Sequence, residues 1–212
     1  MKRTAFAILT AILMSQHCTA ATHDNETLTQ AAQLAKVQAA HFVASRYSDA
    51  RDYESAIREL QSTLLTDPDN VLTHSNLSVF YGKLGHYNMA KMHALQVLEL
   101  NPPDTMHANM ILASWEYHLG NENRAQEIMN NVIVPDKNDP RYRFYQSCRA
   151  CYYASTGDIA EVEQAIQESL GASNQSMKFY RNDVIFDPYR QQQWFIDLVG
   201  ITTEQQEPDS GD

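Results

Sequence analysis

The 212-residue sequence predicts an all-α protein made of stacked helix pairs, and two observations lead to that fold class. The chain contains only 7 Gly and 7 Pro and little strand-like alternation of Val, Ile and Thr, which favours helices. A fixed period of 34 residues, repeated at several residue types, is typical of a helical solenoid whose repeats share one core. The pairs that show this period are Tyr47 and Tyr81, Tyr53 and Tyr87, Ala56 and Ala90, and Pro68 and Pro102.

The first element along the chain is a predicted secretory signal peptide at residues 1–20. Two basic residues precede an apolar run over residues 5–14, which is too short to cross a bilayer, and small residues surround an expected cleavage site after Ala20. We therefore expect an exported protein, periplasmic or secreted, with no integral membrane segment after cleavage. Lipidation of Cys18 is the alternative, although His17 stands where lipoprotein signals need a small side chain.

The repeated segment predicts two helices in each unit. In the second unit, Leu77 and Tyr81 share one face of a first helix over residues 71–83, and Gly85 allows the positive φ that ends it. A second helix over residues 88–100 follows, and a Pro ends it. Its Ala90 is small because the two helices of a unit pack closely there. Neither helix buries its apolar face alone, so the units are expected to stack.

This order of Leu, Tyr, Gly, Tyr, Ala and Pro over residues 37–104 resembles the tetratricopeptide repeat (TPR) family. The resemblance implies a right-handed superhelix of about four helix-turn-helix units with capping helices. A third unit retains Leu112, Gly120 and Ala125, and a degenerate fourth unit retains Gly157. The departures from the family pattern are Glu122 in place of the turn Tyr, an early Pro135, and Arg149 where the family has Leu.

The resemblance also divides the rest of the chain. A C-terminal segment that contains Trp194, Phe195, Leu198 and Val199 is similar to the FDP-type tail that ends many TPR arrays, and it is expected to cap the last unit. The predicted parts are an N-terminal helical extension at 21–36, TPR units at 37–70, 71–104, 106–139 and 143–176, the cap at 177–203 and a disordered tail at 204–212.

A concave groove lined by the first helix of each unit is the binding surface that the resemblance implies. The mixture of polar and apolar side chains there favours a partner peptide or helix with an apolar face, and it lacks the Lys and Asn residues that some TPR proteins use to hold a terminal carboxylate. The alternative is that these side chains pack between units. The groove positions are His41, Ser45, Leu72, Ser75, Val79, Lys83, His107, Met110, Ser114, Tyr117, His118, Phe144 and Cys151.

Cys148 and Cys151 are spaced for either a local disulfide or two free packed thiols within one helix. Thioredoxin-like redox catalysis requires such a pair at the start of a helix that follows a strand, and this pair falls inside a predicted helix. A zinc site is not expected, because no spacing supplies two further ligands.

Composition and motifs exclude several functional classes. Removal of residues 1–20 takes away Lys2 and Arg3 and no acid, so the formal charge moves from −10 to −12, which disfavours nucleic acid as a partner. Phosphate-binding loops and hydrolase nucleophile motifs are absent from the sequence. The sequence thus predicts a non-enzymatic interaction adaptor of the bacterial envelope that needs no cofactor. The alternatives are a lipid-anchored assembly factor for a machine such as pili or secretion and, less favoured, a thiol redox protein.

Overall fold

The structure is a computed structural model that describes residues 29, 31–170 and 174–200. Within those residues it is all-helical, so the all-α prediction is confirmed there. The predicted signal peptide and the predicted disordered tail lie outside the described residues. The helices are α1 (residues 31–49), α2 (Tyr53–Leu64), α3 (Val71–Lys83), α4 (Tyr87–Glu99), α5 (Met106–His118), α6 (Glu122–Asn130), α7 (Tyr142–Thr156), α8 (Ile159–Ser169), α9 (Asn174–Asn182), a 3₁₀-helix (Val184–Tyr189) and α10 (Gln193–Val199).

Helices that follow each other along the chain pack as pairs, and each pair packs on the next. Helix α3 lies against α4, α5 against α6 and α7 against α8, while the first helices α3, α5 and α7 also contact one another in that order. Helix α1 joins α2 through Ala44, which is buried in one cluster with Tyr53, Ala56, Ile57 and Leu60. The described residues thus contain four such helix pairs, α1–α2, α3–α4, α5–α6 and α7–α8.

The four first helices end in the same backbone arrangement. In each, the N–H group five residues further on donates to the carbonyl of a residue in the last turn, and one residue between them has a positive φ, as in a Schellman motif. The accepting carbonyls belong to Tyr47, Tyr81, Glu116 and Tyr153, and the positive-φ residues are Arg51 (58°), Gly85 (76°), Gly120 (81°) and Gly157 (80°). The first unit thus places an Arg where the other three place Gly.

Buried residues, most of them small, recur at matching positions of the helix pairs. One small residue near the middle of each first helix and one residue near the start of each second helix are fully or almost fully buried, which allows the backbones to come close. These are Ala44, Ser78, Ala113 and Ala150 in the first helices, and Ala56, Ala90, Ala125 and Val162 in the second. The side chains of the repeated Tyr pair differ, because Tyr47 is 38% exposed whereas Tyr81 stacks on His93.

The predicted departures from the repeat pattern have local structural counterparts. An irregular segment with Pro135 separates α6 from α7. Helix α7 accommodates Arg149 because its guanidinium pairs with Glu161 and lies 5.3 Å from the ring centroid of Tyr153. Helix α4 begins at Tyr87, one residue before the predicted start, so the Tyr87 ring leaves the helix from its first turn.

The C-terminal elements form a core of their own against the last helix pair. Tyr180, Phe186, Phe195 and Val199 are fully buried in one cluster with Ala150 and residues of α8. Trp194 and Leu198, predicted to cover the last unit, lie at the edge of this cluster and are partly buried, while their neighbours Phe195 and Val199 fill its interior.

Candidate binding cavity

A cavity of about 780 Å³ lies on the face that α3, α5 and α7 share, and residues 179–185 close one side of it. Most of its wall is apolar or aromatic. Helix α3 contributes Val79, Gly82 and Lys83, the start of α4 contributes Tyr87, α5 contributes His107, Met110, Ile111, Ser114, Trp115 and His118, α7 contributes Phe144, Ser147, Cys148, Cys151 and Ser155, and the C-terminal part contributes Phe179, Asp183, Val184 and Ile185.

The side closed by the C-terminal part depends on an ion pair with α3. Lys83 Nζ lies 2.7 Å from Asp183 Oδ2, and their side chains are only 15% and 6% exposed. The same ammonium lies 5.2 Å from the ring centroid of Tyr53, which adds a cation–π contact. Because both charges are largely withdrawn from water, removal of either partner alone is expected to cost more than at an exposed ion pair, since it leaves a buried charge unpaired.

Residues 178–190, called here the C-terminal strap, also contact the first helix pair. Arg51 donates to both carboxylate oxygens of Asp187 and to the carbonyl of Asn182. Lys178 lies 3.4 Å from Asp49, a longer and largely exposed pair. The strap therefore joins the last part of the described chain to the turn between α1 and α2.

Trp115 forms the aromatic part of the wall and is held in place by α3. Its Nε1 donates to Ser78 Oγ at 2.9 Å, and Ser78 in turn donates to the carbonyl of Ala90 at 2.7 Å. Gly82 lies directly under the indole, since a Cβ built there would be 2.1 Å from Trp115 Cη2. Tyr87 and His118 continue this wall as a parallel stack, with ring centroids 4.4 Å apart.

The two thiols of the wall are neutral at physiological pH. Burial raises the pKa of Cys148 to about 12 and raises the pKa of Cys151 well above its ordinary value. Both cysteines are free in the structure and lie inside α7. Since the thiolate is the reactive form, both groups behave here as small apolar side chains.

The two imidazoles of the wall are also favoured in their neutral form. Burial lowers the pKa of His107 and of His118 below the ordinary value. His107 Nδ1 lies 3.1 Å from Ser75 Oγ, and its ring packs on Phe144 with centroids 5.2 Å apart. Apart from the compensated Lys83–Asp183 pair, the described wall thus carries no charge at neutral pH.

The structure brings together eight of the thirteen predicted groove positions and leaves five outside the cavity. Val79, Lys83, His107, Met110, Ser114, His118, Phe144 and Cys151 line it. The others are His41, which hydrogen bonds to Thr73 and Asn76; Ser45, which is exposed; Leu72, also exposed; Ser75, which contacts His107 from behind; and Tyr117, which packs in the core between α5 and α7.

Several wall residues were missed by the sequence reasoning. Gly82 lies inside a predicted helix without a turn to explain it, and an interior Gly indicates close packing of a neighbour, which here is Trp115. Phe179, Asp183 and Ile185 come from the segment predicted only to cap the last unit. No local pattern predicts that a segment so distant in sequence returns to α3.

A scan against protein-family models and a search of curated protein sequences gave no match for this chain. In the described part of the chain, no helix has the length and apolar character needed to cross a membrane. The same residues contain no group of three or more His, Cys, Asp or Glu side chains arranged to hold a metal ion.

Proposed function

We propose that this protein is a non-enzymatic adaptor of the bacterial envelope, periplasmic or secreted, that binds an apolar element of a partner through a TPR-type array. The observation that carries this proposal is the cavity of about 780 Å³ on the shared face of α3, α5 and α7. Ligand sites of this size are typically apolar with a few polar groups directed into them. Successive first helices supply most of this wall, as the TPR resemblance implies for its groove.

The repeated helix ends support the TPR-type assignment. Four first helices end with the same two features: a carbonyl that accepts from the N–H group five residues further on, and a positive-φ residue between the two. This regularity includes the degenerate fourth unit, where Gly157 has the conformation of Gly85. A stack of equivalent helix pairs presents one continuous face to a partner.

The state of the cysteines disfavours the redox alternative. A thiol with a pKa near 12, as for Cys148, is almost fully protonated at neutral pH and is a poor nucleophile. The lipid-anchored alternative concerns Cys18, which lies outside the described residues. Intact-mass measurement of the exported protein separates the two forms, since acyl chains on Cys18 add mass that cleavage after Ala20 cannot.

Site-specific photocross-linking in the native envelope tests the adaptor role. A photoreactive amino acid at Phe144, a cavity residue that is 48% exposed, is expected to capture one dominant protein. The matched control carries the same group at Ser62, which is exposed on α2 and outside the cavity wall. Equal capture of the same proteins from both positions contradicts the proposal.

A further inference from the structure

We propose that the apolar element held in the cavity is a single alkyl chain of an acylated partner. This inference rests on the proposed function, because it takes the face of α3, α5 and α7 as the binding surface. It goes further in naming the ligand's chemistry. The two observations that carry it are the scarcity of free hydrogen-bond donors in the apolar wall and the polar cavity that adjoins it.

The apolar wall of the cavity is long enough to follow an extended chain. Along α5 it extends from His107 to His118, which corresponds to about 16 Å of helix. Apolar and aromatic side chains supply most of this wall, and the C-terminal strap closes one side of it. An extended alkyl chain therefore finds apolar contacts along its whole length.

An extended peptide is disfavoured by the hydrogen bonds that the wall has already made. The hydroxyls of Ser114, Ser147 and Ser155 each donate to the carbonyl four residues earlier in their own helix. Their protons are therefore already used, although their oxygens can still accept. A peptide of this length has about five residues, and each brings a C=O that needs a donor. The imidazoles of His107 and His118 offer fewer groups than that. A hydrocarbon chain needs none.

The C-terminal strap keeps one side of the cavity closed. It cannot lift away without exposing Tyr180 and Phe186, which are fully buried in the C-terminal core. A second, polar cavity of about 310 Å³ adjoins the first and shares Lys83, Phe179 and Asp183 as walls. This second cavity suits the polar end of an amphiphile, because it is bordered by charged and amide side chains.

Fluorescence quenching tests the inference directly, because one of the two tryptophans in the chain is a wall residue. In a Trp194→Phe background, Trp115 is the reporter. Dodecanoic acid that carries bromine on its chain is expected to quench it saturably. Across a series of unlabelled linear alkanoic acids used as competitors, affinity is expected to rise about fourfold per methylene group until the cavity is full.

Two variants fill the cavity, and one variant is their control. Cys148→Phe and Ser155→Phe place a ring in the channel from α7 and are each expected to weaken binding by about tenfold or more. Ser62→Phe adds the same ring on the exposed side of α2 and is expected to leave binding unchanged. Thermal unfolding of each variant identifies any that fails to fold. One folded variant with a filled cavity is sufficient for the test.

A peptide pair distinguishes this inference from the adaptor role itself. A short peptide with an N-terminal dodecanoyl group is expected to bind, and the same peptide with an acetyl group is not. Binding of the acetylated form with equal affinity overturns the alkyl-chain inference while leaving the adaptor role in place. Absence of quenching by brominated dodecanoic acid also overturns the inference, whereas the adaptor role is judged separately by cross-linking from Phe144.

Discussion

The guanidinium of Arg51 donates to both carboxylate oxygens of Asp187 at 3.0 Å each, across 136 residues of sequence. The same Arg has a φ of 58°, in the left-handed region where the other three helix pairs have Gly. A residue with a Cβ is strained in that conformation. The first helix pair therefore has a strained Arg where Gly would be unstrained, and this Arg makes the contact that joins the pair to the C-terminal strap.

Substitution of Arg51 by Ala and by Gly is expected to separate these two effects. Both variants lose the contact with Asp187, which is worth about 1 kcal/mol or less because the pair is roughly half exposed. Only Arg51→Gly also relieves the left-handed strain, so it is expected to be more stable than Arg51→Ala by about 1 kcal/mol. Urea unfolding measures both free energies, and equal values for the two variants contradict the prediction.

Gly82→Ala is expected to destabilise the protein by about 1–3 kcal/mol, although Ala is the better helix former. The added Cβ meets the Trp115 indole at 2.1 Å and forces the ring to move. The same substitution in a Trp115→Leu background is expected to cost much less. A double-mutant cycle from urea unfolding gives the coupling free energy, and additivity of the two changes shows that the ring is not the obstacle.

The buried His74–His93 pair is expected to make stability fall in mild acid. The carbonyl of Pro68 only accepts, so His74 Nε2 donates to it at 2.8 Å, and His74 Nδ1 then accepts from His93 Nδ1 at 2.9 Å. Burial, together with the nearby His74, lowers the pKa of His93 from 6.5 to about 4. Protonation of His93 leaves the hydrogen bond from its Nδ1 to His74 in place, but it introduces a buried positive charge.

Between pH 6.5 and about 4 the unfolded chain consequently binds more protons at this residue than the folded chain does. The free energy of unfolding is expected to decrease as pH falls through that window, by on the order of 2–3 kcal/mol from His93. Burial lowers the pKa of His107 and His118 as well, which acts in the same direction. His93→Gln keeps a donor and is expected to flatten the profile; an unchanged slope argues against the pair as its source.

The thiols of Cys148 and Cys151 are expected to react slowly while the protein is folded. A pKa near 12 for Cys148 implies a thiolate fraction at pH 8 about a thousandfold below that of an ordinary exposed thiol. Labelling with a chromogenic disulfide reagent measures the rate, and the same protein in urea supplies the control. Rapid labelling of the folded protein at pH 8 contradicts this prediction and reopens the redox alternative.

The repeated part of the fold was predictable from the sequence because its causes are local. Ala90 lies where the 34-residue period places it and is fully buried, and Gly85 ends its helix with a positive φ, as its position after the first helix predicted. A small residue at a close approach and a Gly at a helix end each follow from nearby chain geometry. The resemblance to the TPR family also implied that Val79, Met110 and Phe144 share a groove, and these three residues line the cavity.

The closure of the cavity was not predictable, because its causes are distant in sequence. Asp183 meets Lys83 across 100 residues, and neither has a neighbour whose spacing marks the contact. The groove prediction assumed that one open face runs past every first helix. Instead the strap contacts the turn between α1 and α2 and Lys83 of α3, and the cavity to which Phe144 belongs is not lined by His41, Ser45 or Leu72.

The return of residues 178–190 to the first helix pair has a consequence for biogenesis. Contacts within a helix pair form between neighbours, so the pairs are able to assemble in order as the chain is synthesised. The cavity is complete only after its last wall arrives, because that wall is supplied near the end of synthesis. A chain interrupted before Lys178 consequently lacks this wall, and it leaves Ala150 and Ile166 of the last helix pair without the aromatic side chains that cover them.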